Sequence, residues 1–387
     1  MSPKMIDTIT FTQDLIRCPS VTPKDEGVFD LLQGALEDMG FTCHRLPFQE
    51  DGTERVENLY ARFGTEAPNF CFAGHLDVVP VGDEAGWTYD PFGGEIHDGR
   101  LYGRGAADMK GAVAAFVEAA QNFLKAKGDD FKGSISFLIT GDEEGPAING
   151  TKKVLEWMDQ QGEIMDHCLV GEPTNPQCMG EMMKVGRRGS INSRLVVHGT
   201  QGHVAYPHRA DNPLPRLVKM LDALISDELD QGNEFFDPSS LSITTIDCGN
   251  EVENVIPGEA EARFNIRYNN IHTGASLEKW IRETLDKVDT NYTLTTRISG
   301  ESFMSPQDVL TDLIAAATEK VTGVAPERST SGGTSDARFI THSCTVAEFG
   351  LVGQTMHKVD ENVLVEDLQN LTKIYETILA DYFNEAA

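Results

Sequence analysis

The sequence predicts an α/β protein interrupted by a second, α+β domain. Three observations carry that expectation. Up to about residue 180, apolar runs of strand length alternate with amphipathic helical stretches, and the strands end on Gly, Pro and charged residues. From there to about 298 the strands alternate cleanly, as in EARFNIRY, which suits an antiparallel sheet with one solvated face and one face under helices. Helix, strand and helix patterns then resume. The expected boundaries are 1–180 with 299–387 for the α/β domain and 181–298 for the insert.

Residues 5–17 and 24–39 have helical spacing, the second helix entered through Thr22-Pro23 and stopped by Gly40. Strands are expected at 41–46, 56–63 and 69–76, followed by a turn-rich stretch from Gly82 to Gly99. LYGRGAADMKGAVAAFVEAAQNF then reads as a small-residue loop feeding a helix over about 109–124. SISFLIT (134–140) is a strand ending at Gly-Asp-Glu-Glu-Gly, 151–160 a helix, and 167–170 a strand ending at Gly-Glu-Pro. Polar residues thus collect at strand ends, where α/β sheets place their sites. The insert should hold strands at 188–198, 241–247, 260–268 and 292–298 with helices at 213–230 and 275–288. Beyond it, 307–322 and 365–383 read as helices and 344–349 as a strand.

A chain of 387 residues and 42.5 kDa, with 40% hydrophobic residues and a mean hydropathy of -0.29, can bury a core in each of two domains. Apolar runs fall short of membrane-spanning length and the first twenty residues lack an uninterrupted apolar core, so a cytoplasmic location is expected. Seven scattered cysteines without a C-x-x-C suit reduced thiols, so any metal should be held by histidine and carboxylate. The net charge of -29 argues against nucleic acid and anionic membranes as partners, and an anionic substrate would need locally concentrated arginines.

In FCFAGHLDVVP (70–80), His75 and Asp77 stand two apart at the end of an apolar strand, a spacing that sends both side chains from one face. One imidazole nitrogen can then bind a cation while the Asp77 carboxylate accepts a hydrogen bond from the other and fixes the tautomer. Alone, such a triplet is more often a capped strand end. Four further places repeat the signature: Asp108 in GRGAADMKG, Glu143 and Glu144 in ITGDEEG, Glu172 in LVGEP and His357 in GQTMHKV. Each by itself would be a solvated loop charge. The ordered set points to a metal site. No G-x-S-x-G elbow or Walker loop is present, and Gly103 with Gly105 lacks the third glycine of a dinucleotide fingerprint.

With these motifs, and with RRGS (187–190), GHVAYPH (202–208), NEFFDPSSL (233–241), NVIP (254–257) and SGGTSDARF (331–339), the chain resembles the M20 family of dinuclear zinc amidohydrolases over nearly its whole length. The resemblance implies a zinc-peptidase-like catalytic domain, a mixed sheet sandwiched by helices, and an inserted two-layer α+β domain through which a homodimer forms. It implies two Zn²⁺ per subunit, with Co²⁺ able to substitute. His75, Asp108 and Glu172 would hold one ion and Asp108, Glu144 and His357 the other, with Asp108 bridging and the peptide after it cis. The charge of the two ions is then balanced by three carboxylates and one hydroxide. Glu143 would be the general base, drawing a proton from the water that both ions hold and passing it to the leaving amine, while Asp77 supports His75.

The motifs from RRGS onward imply the branch that hydrolyses N-succinyl-LL-2,6-diaminopimelate to succinate and LL-2,6-diaminopimelate, a step of lysine and diaminopimelate synthesis. Acetylornithine deacetylases, aminoacylases and peptidases share the metal motifs and are the alternative. The anionic substrate would meet Arg187 and Arg267, whose guanidinium groups suit carboxylates, together with Tyr206, Asn254 and Thr334. For Arg188 a rim salt bridge is the simpler reading. His203 would reach into the partner subunit's site and donate to the oxyanion. Glu253 stands where relatives commonly carry asparagine and should face away or pair with an arginine. A non-catalytic binding protein on this fold would be expected to have lost Glu143 or a ligand, and all are present.

Overall fold

The strand Asn69–His75 is buried at all seven positions, as its apolar run demands once both faces are covered. It lies inside an eight-stranded mixed sheet in the computed structural model, which describes residues 5–128 and 131–385. The strand order is Thr42–Arg45, Leu59–Phe63, Ser134–Thr140, Asn69–His75, His167–Val170, Thr345–Glu348, Met182–Lys184 and Glu327–Ser329. Ser134–Thr140 and His167–Val170 both run parallel to Asn69–His75. Their carboxyl ends therefore face one way and deliver His75, the Glu143–Glu144 turn and Glu172 to the same edge. The core beneath is aromatic: Phe72 stacks on Phe116 of helix Gly111–Lys127 at 4.3 Å and meets Tyr375 of helix Val365–Glu385 at 5.7 Å.

Several elements differ from the sequence expectation for local reasons. The second helix begins at Val28 rather than 24, because Gly27 takes a left-handed φ of 83° and Asp25 caps Phe29 N at 3.1 Å. The turn-rich stretch hides strand Glu95–His97, which with Arg100–Tyr102 just after it and Asn362–Leu364 forms a small antiparallel sheet. Strands of three residues are too short for a period to be seen. Met182–Lys184 and Glu327–Ser329, also three residues each, escape for the same reason.

The chain divides into two units, the second holding Gly186–Met304 and Thr330–Thr334 and the first the remaining described residues. The second unit is a four-stranded antiparallel sheet in the order Ser240–Asp247, Glu259–Tyr268, Gly189–His198, Tyr292–Gly300. Helices Leu214–Ser226 and Gly274–Asp286 pack their apolar faces on it, so Leu217, Leu221, Ile281 and Leu285 share a core with Ile191, Leu195, Phe264 and Ile266. Leu214–Ser226 stops four residues before the expected 230 because Asp227 is already extended.

Candidate metal centre

His75 is the last residue of its strand and is 1% exposed. Its Nε2 lies 3.1 Å from Asp108 Oδ1 and 3.8 Å from Glu172 Oε1. Asp108 comes from the irregular turn Ala106–Lys110, where the Asp108–Met109 peptide is cis as the resemblance implies. Its other oxygen, Oδ2, lies 3.2 Å from His357 Nε2, which in turn meets Glu144 Oε1 at 2.8 Å. The geometry therefore has a repeating form: one bridging carboxylate, each oxygen facing an imidazole that has a glutamate beside it.

One expectation is corrected. His75 Nδ1 meets the main-chain carbonyl of Asp77 at 2.9 Å, while the Asp77 carboxylate is 3.6 Å away, beyond hydrogen-bond range. That carboxylate instead accepts from Glu144 N at 3.0 Å and Glu143 N at 3.3 Å. The strand ends at His75, so the two-residue alternation no longer governs Asp77, and its side chain turns to the neighbouring strand's loop.

The electrostatics fit divalent cations. Burial alone would lower the His75 pKa, yet Asp108, Glu172 and Asp77 outweigh it and hold the ring well above its usual range. Asp108 and Glu144 likewise raise His357 to about 10. Burial would raise Asp108, but the two imidazoles pull it well below the ordinary carboxylate range. The field that draws protons onto both rings is the field a cation would meet. The donors are carboxylate oxygens and imidazole nitrogens, the kinds that Zn²⁺ accepts. His357 is 44% exposed, which opens its side to an entering ion.

Glu143 sits among these groups without sharing their hydrogen bonds. Burial pushes its carboxyl well above the usual range, and Glu172 and Asp336 add to the shift. His75, Asp108 and Glu144 bring donor atoms within 4.8 Å of one another, and so do His75, Glu143 and Glu172. The second set admits Glu143 as a ligand. Asp108 Oδ1, at 3.1 Å from His75, is the closer partner there and leaves Glu143 beside the pair.

The substrate-contact candidates belong to the second unit. Arg187 directs Nη1 at the carbonyls of Gly333 (3.2 Å) and Ser331 (3.5 Å), so the RRGS turn and the loop carrying Thr334 come together. Arg267 lies across from Ser190 on the paired strand, and burial followed by the nearby Arg188 lowers its pKa. Arg267 Nη1 and Arg188 Nε are buried without an acceptor among the described residues. His203 lies in a two-stranded ladder paired with Val255, Asn254 directly precedes that partner strand, and Tyr206 lies 5.7 Å from the His203 ring. All three are exposed, as is Glu253. Sequence reasoning passed over Arg104 and Glu361, which are buried beside the Asp108 turn. The available signal was a charge inside GRGAADMKG and another four residues after His357.

A carboxylate shared between two histidine–glutamate pairs beside the strand ends of an α/β sheet suits a metal-dependent hydrolase. The chain belongs to the peptidase family M20/M25/M40, whose family model matches residues 71–381. It is 62% identical over 377 residues to the succinyl-diaminopimelate desuccinylase of Rhodospirillum centenum, covering 97% of each chain. To the protein of the same name from Parvibaculum lavamentivorans it is 55% identical over 381 residues, covering 97% of this chain and 96% of the relative. Its fold is similar to that of an M20 family metallo-carboxypeptidase from Sulfolobus solfataricus, with a TM-score of 0.80 and 17% identity over 98% of this chain and 100% of that one. No helix among the described residues is long and apolar enough to cross a membrane.

Proposed function

We propose that the chain hydrolyses N-succinyl-LL-2,6-diaminopimelate to succinate and LL-2,6-diaminopimelate. The observation that carries the chemistry is Asp108, whose two oxygens face His75 and His357 separately. The desuccinylase name of relatives 62% and 55% identical over nearly the whole chain supports the substrate. In this reading His75, Asp108 and Glu172 hold one Zn²⁺ and Asp108, Glu144 and His357 a second, with Co²⁺ able to replace either. When bound, the ions polarise the scissile carbonyl and lower the pKa of the attacking water.

Glu143 moves the proton. A carboxyl held above its ordinary range can accept a proton near neutral pH and release it again. As the carbon–oxygen bond forms at the succinyl carbonyl and the carbon–nitrogen bond breaks, Glu143 carries the water's proton to the departing amine nitrogen. Asp77 holds the turn that aims Glu143 and Glu144, through the two amides it accepts.

Arg187, Arg267, Thr334, Tyr206 and Asn254 contact the substrate, and Arg188 joins them. Arg267 Nη1 and Arg188 Nε, buried without an acceptor among the described residues in a chain of net charge -29, suit a substrate carboxylate. His203 Nδ1 accepts from Ala205 N at 3.0 Å, so the neutral ring carries its proton on Nε2 and can donate it to the oxyanion. We assign that donation to a homodimer joined through the second unit. The edge strand Ser240–Asp247, with exposed Ile246, and helix Leu214–Ser226, with exposed Val218 and Ile225, support such an interface. Seven free thiols accord with a reducing, cytoplasmic setting. The test is a chelator-stripped sample assayed on N-succinyl-LL-2,6-diaminopimelate and on N-acetylornithine during stepwise return of Zn²⁺. Activity restored on the first alone supports the reading; restoration on the second alone refutes the substrate.

A further inference from the structure

Glu361 is fully buried, four residues beyond His357. Its Oε1 accepts the main-chain N–H groups of Gly105 (3.1 Å), Ala107 (3.0 Å) and Asp108 (3.2 Å), and its Oε2 pairs with Arg104 Nη1 at 2.6 Å. Arg104 also donates to the carbonyls of Lys358 (3.1 Å) and Pro80 (3.3 Å), and its guanidinium lies 5.3 Å over the Trp87 ring. Asp360 is tied in turn to Thr88 N and Oγ1, each at 2.7 Å. His357 and Asp360 both hold positive φ, 62° and 57°, a conformation that needs outside ties to persist.

A carboxylate placed in a core is costly unless its lone pairs are satisfied. Here every partner of Glu361 lies on a segment that carries a proposed ligand. The amides belong to the Asp108 turn, Glu361 itself belongs to the His357 loop, and through Arg104 the tie extends to Pro80, just past His75. We infer that Glu361, with Arg104, is a positioning residue that sets the spacing between the two histidine–glutamate halves by holding Asp108 at one rotation. This rests on the metal-centre reading above.

The test is Co²⁺ titration of the metal-stripped full chain, followed by visible absorption and calorimetry. Glu361→Gln keeps an oxygen for the three amides and turns an N–H group toward Arg104. It should fold, bind at least one Co²⁺ about tenfold to hundredfold more weakly than wild type, and change the ligand-field spectrum. Absence of Co²⁺ uptake by wild type would sink the metal-centre reading itself. Uptake of two ions by wild type with unaltered affinities and spectrum in folded Glu361→Gln would overturn only the positioning role. Should Glu361→Gln fail to fold, Arg104→Lys, which keeps the charge but cannot reach Glu361, Lys358 and Pro80 together, must show the same loss. Wild-type binding in folded Arg104→Lys, or failure of both variants to fold, would make the pair purely structural and overturn the inference.

Discussion

Replacing Glu143 by Gln separates proton transfer from metal binding, because the amide has nearly the shape of the carboxyl but cannot accept a proton. General base catalysis contributes roughly 10²–10⁴ in rate, and since Glu143 also returns the proton to the amine, the upper end applies. A loss of about 10⁴ in kcat corresponds to about 5.4 kcal/mol of activation free energy. The fold should not suffer. A carboxyl whose pKa is raised in the folded chain binds its proton more tightly there than when unfolded, so ionising it costs stability as pH rises above the ordinary carboxylate range. Gln removes that cost, and the Tm of the metal-free variant at pH 7 to 8 should equal or exceed that of wild type. The assay pairs turnover of N-succinyl-LL-2,6-diaminopimelate with elemental analysis for two zinc ions per chain. Zinc falling to one ion would make Glu143 a ligand, which its closeness to His75 and Glu172 allows. Turnover within tenfold of wild type would remove it as the base.

Metal affinity should rise with pH, about tenfold per unit for each imidazole that must shed its proton, because His75 and His357 are both held above their usual range. Calorimetry in buffers of different ionisation enthalpy should count up to two protons released, and zero release would contradict the assignment. Asp77→Asn should lower kcat about tenfold to hundredfold with zinc retained, since the main-chain carbonyl still holds His75 Nδ1; zinc loss as severe as in His75→Ala would return the carboxylate to His75. Arg267→Ala should raise KM about tenfold to 150-fold, the equivalent of one charged hydrogen bond of roughly 1.5–3 kcal/mol, and an unchanged KM would take Arg267 out of the substrate site. Mixed dimers of His203→Ala and Glu143→Ala chains should recover about a quarter of wild-type activity on random pairing and about half in purified heterodimers, through one intact composite site. Recovery of none in a verified heterodimer would place His203 in its own subunit's site or outside catalysis.

Most of the proposed ligands were legible because His75, Glu144 and Glu172 follow apolar strands and Asp108 lies in a small-residue turn, and strand ends are where an α/β sheet presents its chemistry; His357 carries no such local mark. The antiparallel unit was legible because its ten-residue strand Glu259–Tyr268 is long enough for alternation to show. Asp77 was misjudged because strand periodicity was extended past the residue where the strand stops. Of the Arg187–Arg188 pair the first is the buried one and the second half-buried, a difference set by packing that nothing local in the sequence encodes.

What the sequence determined by itself is therefore the inventory: which acids and histidines stand at the mouths of which strands, and in what order. What only the tertiary structure decided is how they are shared. Arg104 meets Glu361 across 257 positions, and Asp108 turns one oxygen to each of two histidines drawn from distant parts of the chain. Periodicity and turn chemistry act over a few residues, whereas the division of one carboxylate between two partners depends on packing that joins segments far apart in the chain.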